Sequence, residues 1–317
     1  MQLRITTFNV ENLFNRYTFL DMPFEDRDFE KFVEATGVVS IASRKGDLVS
    51  YPITEIQRNN TAQAILDTHP DILAVQEVEN LYTLRIFNNT YLDNYFEHMI
   101  LIDGNDLRGI DVGLLVRRGA PVSIEQIRTH IDDPIEPSKP VTRQSIANFG
   151  YSVKNAIFSR DCLEVDLKVS GKTLTLMINH FKAQDGKPAS KVHRTKQAER
   201  VSALVDAATL AGKFPIVLGD LNVDPKTDQS LHAVLNNAHL RDPFPANTWT
   251  HYYVPDKKTS RLDYILPHKD LNVTQTDINR KGLTTKATVY DGPRYPTIGA
   301  EHTEASDHCP TAVTIEL

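Results

Sequence analysis

The stretch from Phe214 to Asn222 contains a carboxylate and an amide in a spacing that suits a catalytic or binding site. An apolar run typical of a strand stops at Gly219, and Asp220 and Asn222 follow two positions apart. Side chains at i and i+2 share one face of a strand, so the carboxylate and the amide would project together from its end. They could hold water, phosphate or a metal ion, but a turn that caps the next helix would contain the same residues.

Polar side chains also occur where other predicted strands end. These residues are Asn9, Glu77, Asn179, His180, Asp263, Asp307 and His308. One polar strand end is unremarkable, but so many of them predict a shared mouth at one edge of the sheets. Their oxygen atoms suit Mg²⁺ or Mn²⁺, and a histidine beside a carboxylate suits proton transfer.

Metal-assisted hydrolysis of a phosphoester is the chemistry that these residue types support. The uncatalysed reaction is so slow that an enzyme must remove on the order of 20 kcal/mol from its barrier, and a metal ion supplies part of this electrostatically. No serine or cysteine lies in the context of a nucleophile. The residues therefore predict direct attack by water.

The elements that must position these residues are mostly short strands. Residues 3–10 and 163–169 alternate as strands, residues 54–67 have helical spacing, and residues 195–211 carry one apolar helical stripe. About eleven short strands with few helices between them predict two mixed sheets with helices packed outside, and they exclude a doubly wound parallel sheet. No linker or repeat interrupts the chain. We expect one domain over residues 1–317, with long loops at about 16–50 and 276–305.

Composition limits the partners and the compartment. The net charge of −6 excludes a protein that coats nucleic acid, so a polyanionic substrate must meet a local basic patch and bound metal. Cys162 and Cys309 are expected to be free thiols in a reducing compartment. No membrane span or signal peptide is visible, and nothing implies an obligate protein partner. We expect a cytoplasmic protein, or a secreted one if a leader was removed.

The motifs resemble those of the endonuclease/exonuclease/phosphatase superfamily over nearly the whole chain. They occur in the family's order and consist of residues 7–10 (TFNV), 75–78 (VQEV), 179–181 (NHF), 219–222 (GDLN), 261–265 (RLDYI) and 306–308 (SDH). Each motif is weak alone, and the ordered set is very specific. The resemblance implies a four-layered α/β sandwich.

The resemblance also implies a role for each matched residue. Asn9 and Glu77 would hold the divalent metal, with Asp307 close enough to contribute; Mg²⁺ is the expected ion and Mn²⁺ the alternative. His308, oriented by Asp307, would be the acid/base group, and Asp220 is the competing candidate for that task.

Further matched positions are expected to contact the substrate. Asn222 would bind the phosphate, and His180, supported by Asp263, would stabilise the charge that develops on it. Asn179 is a phosphate contact or supports one. Arg160 matches a position that often carries a basic residue, and Arg108 either touches substrate or merely begins a strand.

Two substrate classes remain open from the sequence. Residues 218–224 and 259–263 depart from the inositide phosphatase pattern. Residues 108–112 (RGIDV), 179–182 (NHFK) and 194–198 (RTKQA) are most similar to a bacterial nuclease-like branch. Residues 182–200 carry an excess of four positive charges that could hold a phosphate backbone, although a solvated helix face explains such a run equally well. We expect an endo- or exonuclease. The alternatives are a phosphatase or phosphodiesterase that acts on a small molecule or lipid headgroup, and a non-catalytic binding module.

Overall fold

The structure is a computed structural model that describes residues 1–13, 17–19, 48–50, 53–106, 109–145 and 151–317. The helices in these ranges are α1 (Glu55–Leu66), α2 (Leu81–Tyr91), α3 (Pro188–Leu210) and α4 (His232–Leu235). The strands are β1 (Gln2–Leu13), β2 (Tyr17–Phe19), β3 (Leu48–Ser50), β4 (Ile72–Val78), β5 (Phe96–Leu101), β6 (Asp111–Arg117), β7 (Ser123–Arg128), β8 (Thr142–Ser145), β9 (Tyr151–Lys154), β10 (Cys162–Val169), β11 (Lys172–His180), β12 (Phe214–Asp220), β13 (His251–Tyr253), β14 (Lys258–Ser260), β15 (Asp263–Pro267), β16 (Asn272–Ile278) and β17 (Thr311–Glu316).

Two mixed sheets form the centre of the fold, as the sequence predicts. The six-stranded sheet has the order β16-β17-β1-β4-β6-β5, in which only β1 and β4 are parallel. The five-stranded sheet has the order β15-β12-β11-β10-β7, in which only β11 and β12 are parallel. Short connections join β5 to β6 and β10 to β11, whereas other antiparallel neighbours, such as β1 and β17, are distant in sequence.

The inner faces of the two sheets share one apolar layer. Every second residue of each central strand points into it, as the pleat requires. The layer includes Leu3, Ile5, Ile72, Ala74, Leu163, Val165, Leu176, Ile178, Ile216, Leu218, Ile265, Val313 and Ile315, all fully buried.

The outer faces are covered by helices. Phe8 and Val75 of the six-stranded sheet pack with Ile65 of α1 and Leu84 of α2. On the other side, α3 packs against the five-stranded sheet through Ala198, Val201 and Val205, which meet Met177 and Val217. The order helix, sheet, sheet, helix confirms the expected four-layered α/β sandwich.

At one end of the sandwich the inner layer changes from apolar to polar. Asn9 has the same inward parity as Ile5, His180 the same as Ile178, Asp220 the same as Leu218, and Asp263 the same as Ile265. Burying these polar side chains costs free energy, and the hydrogen bonds and charge pairs that they form with one another offset this cost. The strand pattern therefore places predicted site residues together without help from the loops.

Two expected loops have different outcomes. Strand β16 extends to Ile278, so the irregular segment begins after it; residues 279–310 contain no helix or ladder strand. The predicted loop at 16–50 lies outside the described residues except for 17–19 and 48–50, and Arg108 also lies outside them. Among the helices described, none is both long and apolar enough to cross a membrane.

Candidate active site

A cavity of about 670 Å³ opens at the polar end of the sandwich. Its lining brings together most of the residues singled out from the sequence: Glu77, Arg160, His180, Asp220, Asn222, Asp307 and His308. Glu77, His180 and Asp220 lie at the ends of β4, β11 and β12, strands that belong to the two parallel pairs. Carboxyl ends of parallel strands meet at one edge, which explains why residues far apart in sequence converge here.

Asp220 lies at the centre of the hydrogen bonds in this cavity and is 1% exposed. Asn9 Nδ2 donates to its Oδ2 across 3.1 Å, and Asn222 donates to it twice, from the backbone N to Oδ1 at 2.8 Å and from Nδ2 to Oδ2 at 3.1 Å. Asn222 also donates to the carbonyl of Phe181. Its amide therefore positions Asp220.

Burial raises the pKa of Asp220 to about 7. The His308 imidazole and the hydrogen bonds from Asn222 and Asn9 oppose this rise, while the neighbouring Asp263 carboxylate adds to it. A carboxylate with a pKa near neutrality can both accept and release a proton at physiological pH.

His308 is held by Asp263, which corrects two pairings expected from the resemblance. His308 Nδ1 lies 2.8 Å from Asp263 Oδ2, whereas Asp307 Oδ1 is 3.8 Å from His308 Nε2. Asp263 therefore orients His308 instead of His180, and Asp307 does not orient His308. The reason is geometric: Asp263 begins β15 with its side chain facing inward beside β12, where the His308 ring enters.

Three carboxylates surround the His308 ring. Burial by itself would lower its pKa, but Asp263, Asp220 and Asp307 together hold the pKa well above its usual value. The same contact lowers the pKa of Asp307, although burial opposes this. At neutral pH the site thus contains an imidazolium 3.9 Å from Asp220 Oδ2.

His180 contacts the opposite side of Asp220. Its Nε2 lies 3.5 Å from Asp220 Oδ2 and 3.9 Å from Glu77 Oε1. The ring is 3% exposed at the end of β11. The Nε2 atoms of His180 and His308 therefore both lie near the same oxygen, Oδ2 of Asp220.

Several site residues adopt the left-handed backbone region. Glu77 has φ of 65°, Asn222 has 53° and Glu11 has 44°. Non-glycine residues reach this region at a cost of about 1–2 kcal/mol each, and they cluster at functional sites. Here the turn ends the strand and directs Glu77 and Asn222 into the cavity.

The donor set fits a hard divalent cation. Glu77 and Asp307 face the cavity, Asp220 and Asp263 lie beneath it, and Asp263 Oδ1 is buried without a hydrogen bond. This excess of carboxylates favours a bound cation with oxygen ligands. Asn9 presents its amide nitrogen to Glu77 and accepts from Glu11 N through its oxygen, so it would join the ligands only after the amide turned over.

Two of the three predicted substrate contacts have other neighbours in the structure, and the third lies outside the described residues. Asn179 is fully buried on the outer face of β11, where its amide donates to Met177 O, and it does not line the cavity. Arg160 lines the cavity but is 2% exposed and is held by Asp106 and the carbonyl of Phe181. Arg108 lies outside the described residues.

The basic segment at 182–200 is only partly available to a phosphate backbone. Arg194 is buried and pairs with Asp228, and Arg200 pairs with Asp133. Lys187 and Lys191 remain well exposed beside aspartates. The exposed positive charge is therefore smaller than the sequence indicates.

His251 is a cavity residue that sequence reasoning missed. It lies at the start of β13, and its ring centroid is 4.7 Å from that of His308. Its Nε2 is 3.3 Å from Asp307 Oδ2. The sequence held no signal for it, since a lone histidine in a short strand carries no functional pattern.

The expected free thiols are present as such. Cys162 and Cys309 are both buried and unpaired with each other. Burial raises the pKa of both thiols, which suits a packing role.

Comparison with known proteins gives a consistent result. Residues 7–308 match the model of the Endonuclease/Exonuclease/phosphatase family. No curated protein matches the sequence.

Solved structures with the same fold cover almost all of this chain at low sequence identity. The human Nocturnin catalytic domain with bound sulfate is 16% identical, with a TM-score of 0.60 over 99% of this chain and 94% of that one. A Bacteroides thetaiotaomicron mannosyl-6-phosphatase is 16% identical, with a TM-score of 0.60 over 99% and 100%. D. rerio TDP2, complexed with a single-strand DNA product, is 14% identical, with a TM-score of 0.59 over 100% and 99%.

Proposed function

The chain belongs to the endonuclease/exonuclease/phosphatase family of metal-dependent phosphoester hydrolases, and from this premise we propose that it is a Mg²⁺-dependent nuclease that cleaves phosphodiesters by direct attack of water. The observation that carries this proposal is the buried group of Asp220, His308 and Asp263 at the floor of an open cavity. It combines a carboxylate of near-neutral pKa with a charged imidazole.

Asp220 is the base in this proposal. Its pKa of about 7 allows it to take a proton from water at neutral pH, and Asn9 and Asn222 fix its oxygens. His308 has the opposite character because its raised pKa keeps it protonated. Because their environments shift the two pKa values so that Asp220 can accept a proton while His308 keeps one, Asp220 takes the base role and His308 the acid role.

His308 and His180 would stabilise the phosphate. A cationic imidazole held by Asp263 is an oriented donor to a developing negative charge, and it does not have to reorganise during the reaction. His180, on the other side of Asp220, is the second donor. Glu77 and Asp307 would hold the metal ion, which polarises the phosphoryl group when bound.

Three observations support nucleic acid as the substrate. Residues 261–264 resemble the abasic-site enzymes of the family, and the exposed Lys187 and Lys191 lie on the segment that follows His180. TDP2, a structural neighbour, binds a single-strand DNA product. Exposed lysines contribute to backbone binding through counterion release.

The buried Arg194 and the paired Arg200 favour the second candidate, a phosphatase or phosphodiesterase acting on a small phosphoester. Because these two arginines pair with aspartates of the chain itself, less positive surface remains to bind a nucleic acid backbone. The mannosyl-6-phosphatase among the structural neighbours acts on such a molecule.

One experiment separates the two candidates. Purified protein with Mg²⁺ or Mn²⁺ is assayed on plasmid DNA, single-strand DNA, RNA, abasic-site duplex and phosphorylated sugars, with Asp220→Ala as the inactive control. We expect cleavage of at least one nucleic acid. Turnover restricted to the sugar phosphates would overturn the nuclease proposal, and wild-type rates in the control would overturn the site.

A further inference from the structure

Two imidazoles converge on the carboxylate of Asp307 at the rim of the cavity. His251 Nε2 lies 3.3 Å from Oδ2, and His308 Nε2 lies 3.8 Å from Oδ1. One nitrogen of each ring and one Asp307 oxygen all lie within 4.8 Å of one another. An antiparallel bridge between His251 and His308 fixes the two backbones that carry the rings.

The far nitrogen of each ring is already held by another side chain. His251 Nδ1 lies 2.9 Å from Ser260 Oγ, and His308 Nδ1 lies 2.8 Å from Asp263 Oδ2. Metal-binding histidines are typically oriented in this way, with one nitrogen bonded to a hydroxyl, carbonyl or carboxylate and the other directed at the ion. Both Nε2 atoms here face the same carboxylate, which is the arrangement of two nitrogen ligands and one oxygen ligand.

We propose that His251, Asp307 and His308 bind a borderline-soft divalent transition-metal ion, with Zn²⁺ as its representative, and that the bound ion inhibits hydrolysis. The ligand types separate this site from the oxygen ligands proposed for Mg²⁺, because imidazole suits Zn²⁺ and carboxylate suits Mg²⁺.

The spacing agrees with such an ion. Zn–N bonds of about 2.0–2.1 Å place tetrahedral ligands about 3.3–3.4 Å apart. The contacts of Asp307 with the two rings, at 3.3 and 3.8 Å, are already near this spacing. The ligand atoms of the three residues lie within 4.8 Å of one another, so they would draw together around the ion, and a water molecule or the substrate would complete the coordination.

Inhibition follows from the ligands that the ion uses, and this part rests on the proposed function. An ion on His308 Nε2 occupies the nitrogen that is proposed to donate to the phosphate. It also occupies Asp307, which is proposed to hold Mg²⁺. Substrate hydrolysis should therefore fall as the site fills.

The binding test uses Co²⁺, which reports coordination by visible absorption. Metal-free wild-type protein is titrated with Co²⁺ and then with Zn²⁺. We expect a d–d band typical of four or five ligands, and we expect Zn²⁺ to abolish it stoichiometrically. A spectrum no stronger than that of aqueous Co²⁺ would overturn the proposal.

Variants locate the ion. His251→Phe keeps an aromatic ring against His308 and removes the nitrogen, so the Co²⁺ dissociation constant should rise at least tenfold; His251→Gln serves as a second variant should the first fold poorly. His239→Phe is the matched control, because His239 also lies beside an aspartate, Asp206, but far from the cavity. Equal Co²⁺ affinity in wild type and both His251 variants would contradict the assignment.

The inhibition arm compares each variant with its own uninhibited rate. The Zn²⁺ concentration for half inhibition should rise at least tenfold in His251→Phe and stay within twofold in His239→Phe. If wild type binds Co²⁺ at this site but hydrolyses no phosphoester, only the proposed function fails. If wild type hydrolyses nucleic acid and the Co²⁺ band does not depend on His251, only this inference fails.

Discussion

At the scale of single residues, the site works by giving neighbouring groups different charge states. Asp220 and Asp263 are both buried carboxylates of the five-stranded sheet, one strand apart. Asp263 bonds directly to His308, whereas Asp220 receives only amide and backbone donors at hydrogen-bond distance. In the proposed mechanism the base role therefore falls to Asp220.

Asp220→Asn tests that role. We expect kcat to fall by about 10²- to 10⁴-fold, the usual contribution of a general base. The folded pKa of Asp220 is raised to about 7, so its ionisation destabilises the metal-free fold as the pH rises above the unfolded value. The variant should therefore gain stability relative to wild type between pH 5 and pH 9. Urea unfolding in EDTA measures this, and a relative loss at pH 9 would contradict it.

A second buried histidine controls stability away from the cavity. His130 lies between Asp133 at 2.9 Å and Glu164 at 2.8 Å. Burial opposes its charge, but the two carboxylates raise its pKa to about 9. Because the folded pKa exceeds the unfolded one, the stabilisation is complete below about pH 6.5 and is lost as the pH rises through 9.

His130→Gln should therefore cost most at pH 6, on the order of 3 kcal/mol for a shift of this size. The cost should shrink towards pH 9.5, where the wild-type ring is losing its proton. Free energies of unfolding from urea titrations at the two pH values measure the difference. A cost that does not depend on pH would show that only packing was lost.

At the scale of elements, strand ends position the chemistry, and this part could be predicted from the sequence. The alternation of inward and outward side chains along β1, β11 and β12 predicts which residues form the apolar inner face. It also predicts that the polar residue at the end of each strand points to the same side. The partners of these residues could not be predicted, because pairing Asp263 with His308 depends on which strands are neighbours. His251 was missed for the same reason.

The predicted boundaries of elements were wrong where tertiary packing, and not the hydrophobic pattern of the sequence, decides where the element begins or ends. Helix α3 begins at Pro188, seven residues before the predicted start, because its first turns lack the apolar stripe and begin instead with a proline at a helix N-terminus. Strand β16 was read in part as loop. It is an edge strand with a mostly exposed, polar sequence, and only its pairing with β17 makes it a strand.

At Gly219 the backbones of two neighbouring strands approach so closely that a side chain has no room. Its φ is 127°, and a Cβ there would lie 2.0 Å from the carbonyl oxygen of Asn179 in the neighbouring parallel strand. Gly219→Ala must push β12 away from β11 directly before Asp220. We expect a loss of several kcal/mol in stability, together with loss of activity.

Gly212→Ala is the matched control for this prediction. Gly212 also has positive φ, 74°, but nothing lies within 4 Å of the added Cβ. The substitution should cost only about 1–2 kcal/mol of backbone strain and keep full activity. Thermal unfolding of both variants compares close approach with backbone strain, and equal costs would refute the close-approach argument.

At the scale of the whole molecule, both sheets contribute to the cavity that is proposed to bind metal, so metal binding and folding should be linked. Glu77 comes from the six-stranded sheet, whereas Asp220 and His180 come from the five-stranded one. An ion that binds only the folded state should stabilise it by about 2.7 kcal/mol at a concentration of 100 times Kd.

Mn²⁺ or Mg²⁺ should therefore raise the Tm of wild-type protein by a few degrees, and EDTA should reverse the rise. Glu77→Gln should remove most of the shift because a carboxylate ligand becomes a neutral amide. Differential scanning calorimetry measures both. The same shift in wild type and Glu77→Gln would place the ion elsewhere.

Strand β17 lies inside the six-stranded sheet, between β16 and β1, and the 307–308 pair comes immediately before it. On the ribosome, Asn9 and Glu77 emerge early, but β17 and both residues of the pair emerge only after three hundred others. Domains complete their folding as units during synthesis, and here the site cannot assemble before the sheet closes around its last strand. We therefore expect hydrolytic activity to appear only after β17 has joined the sheet.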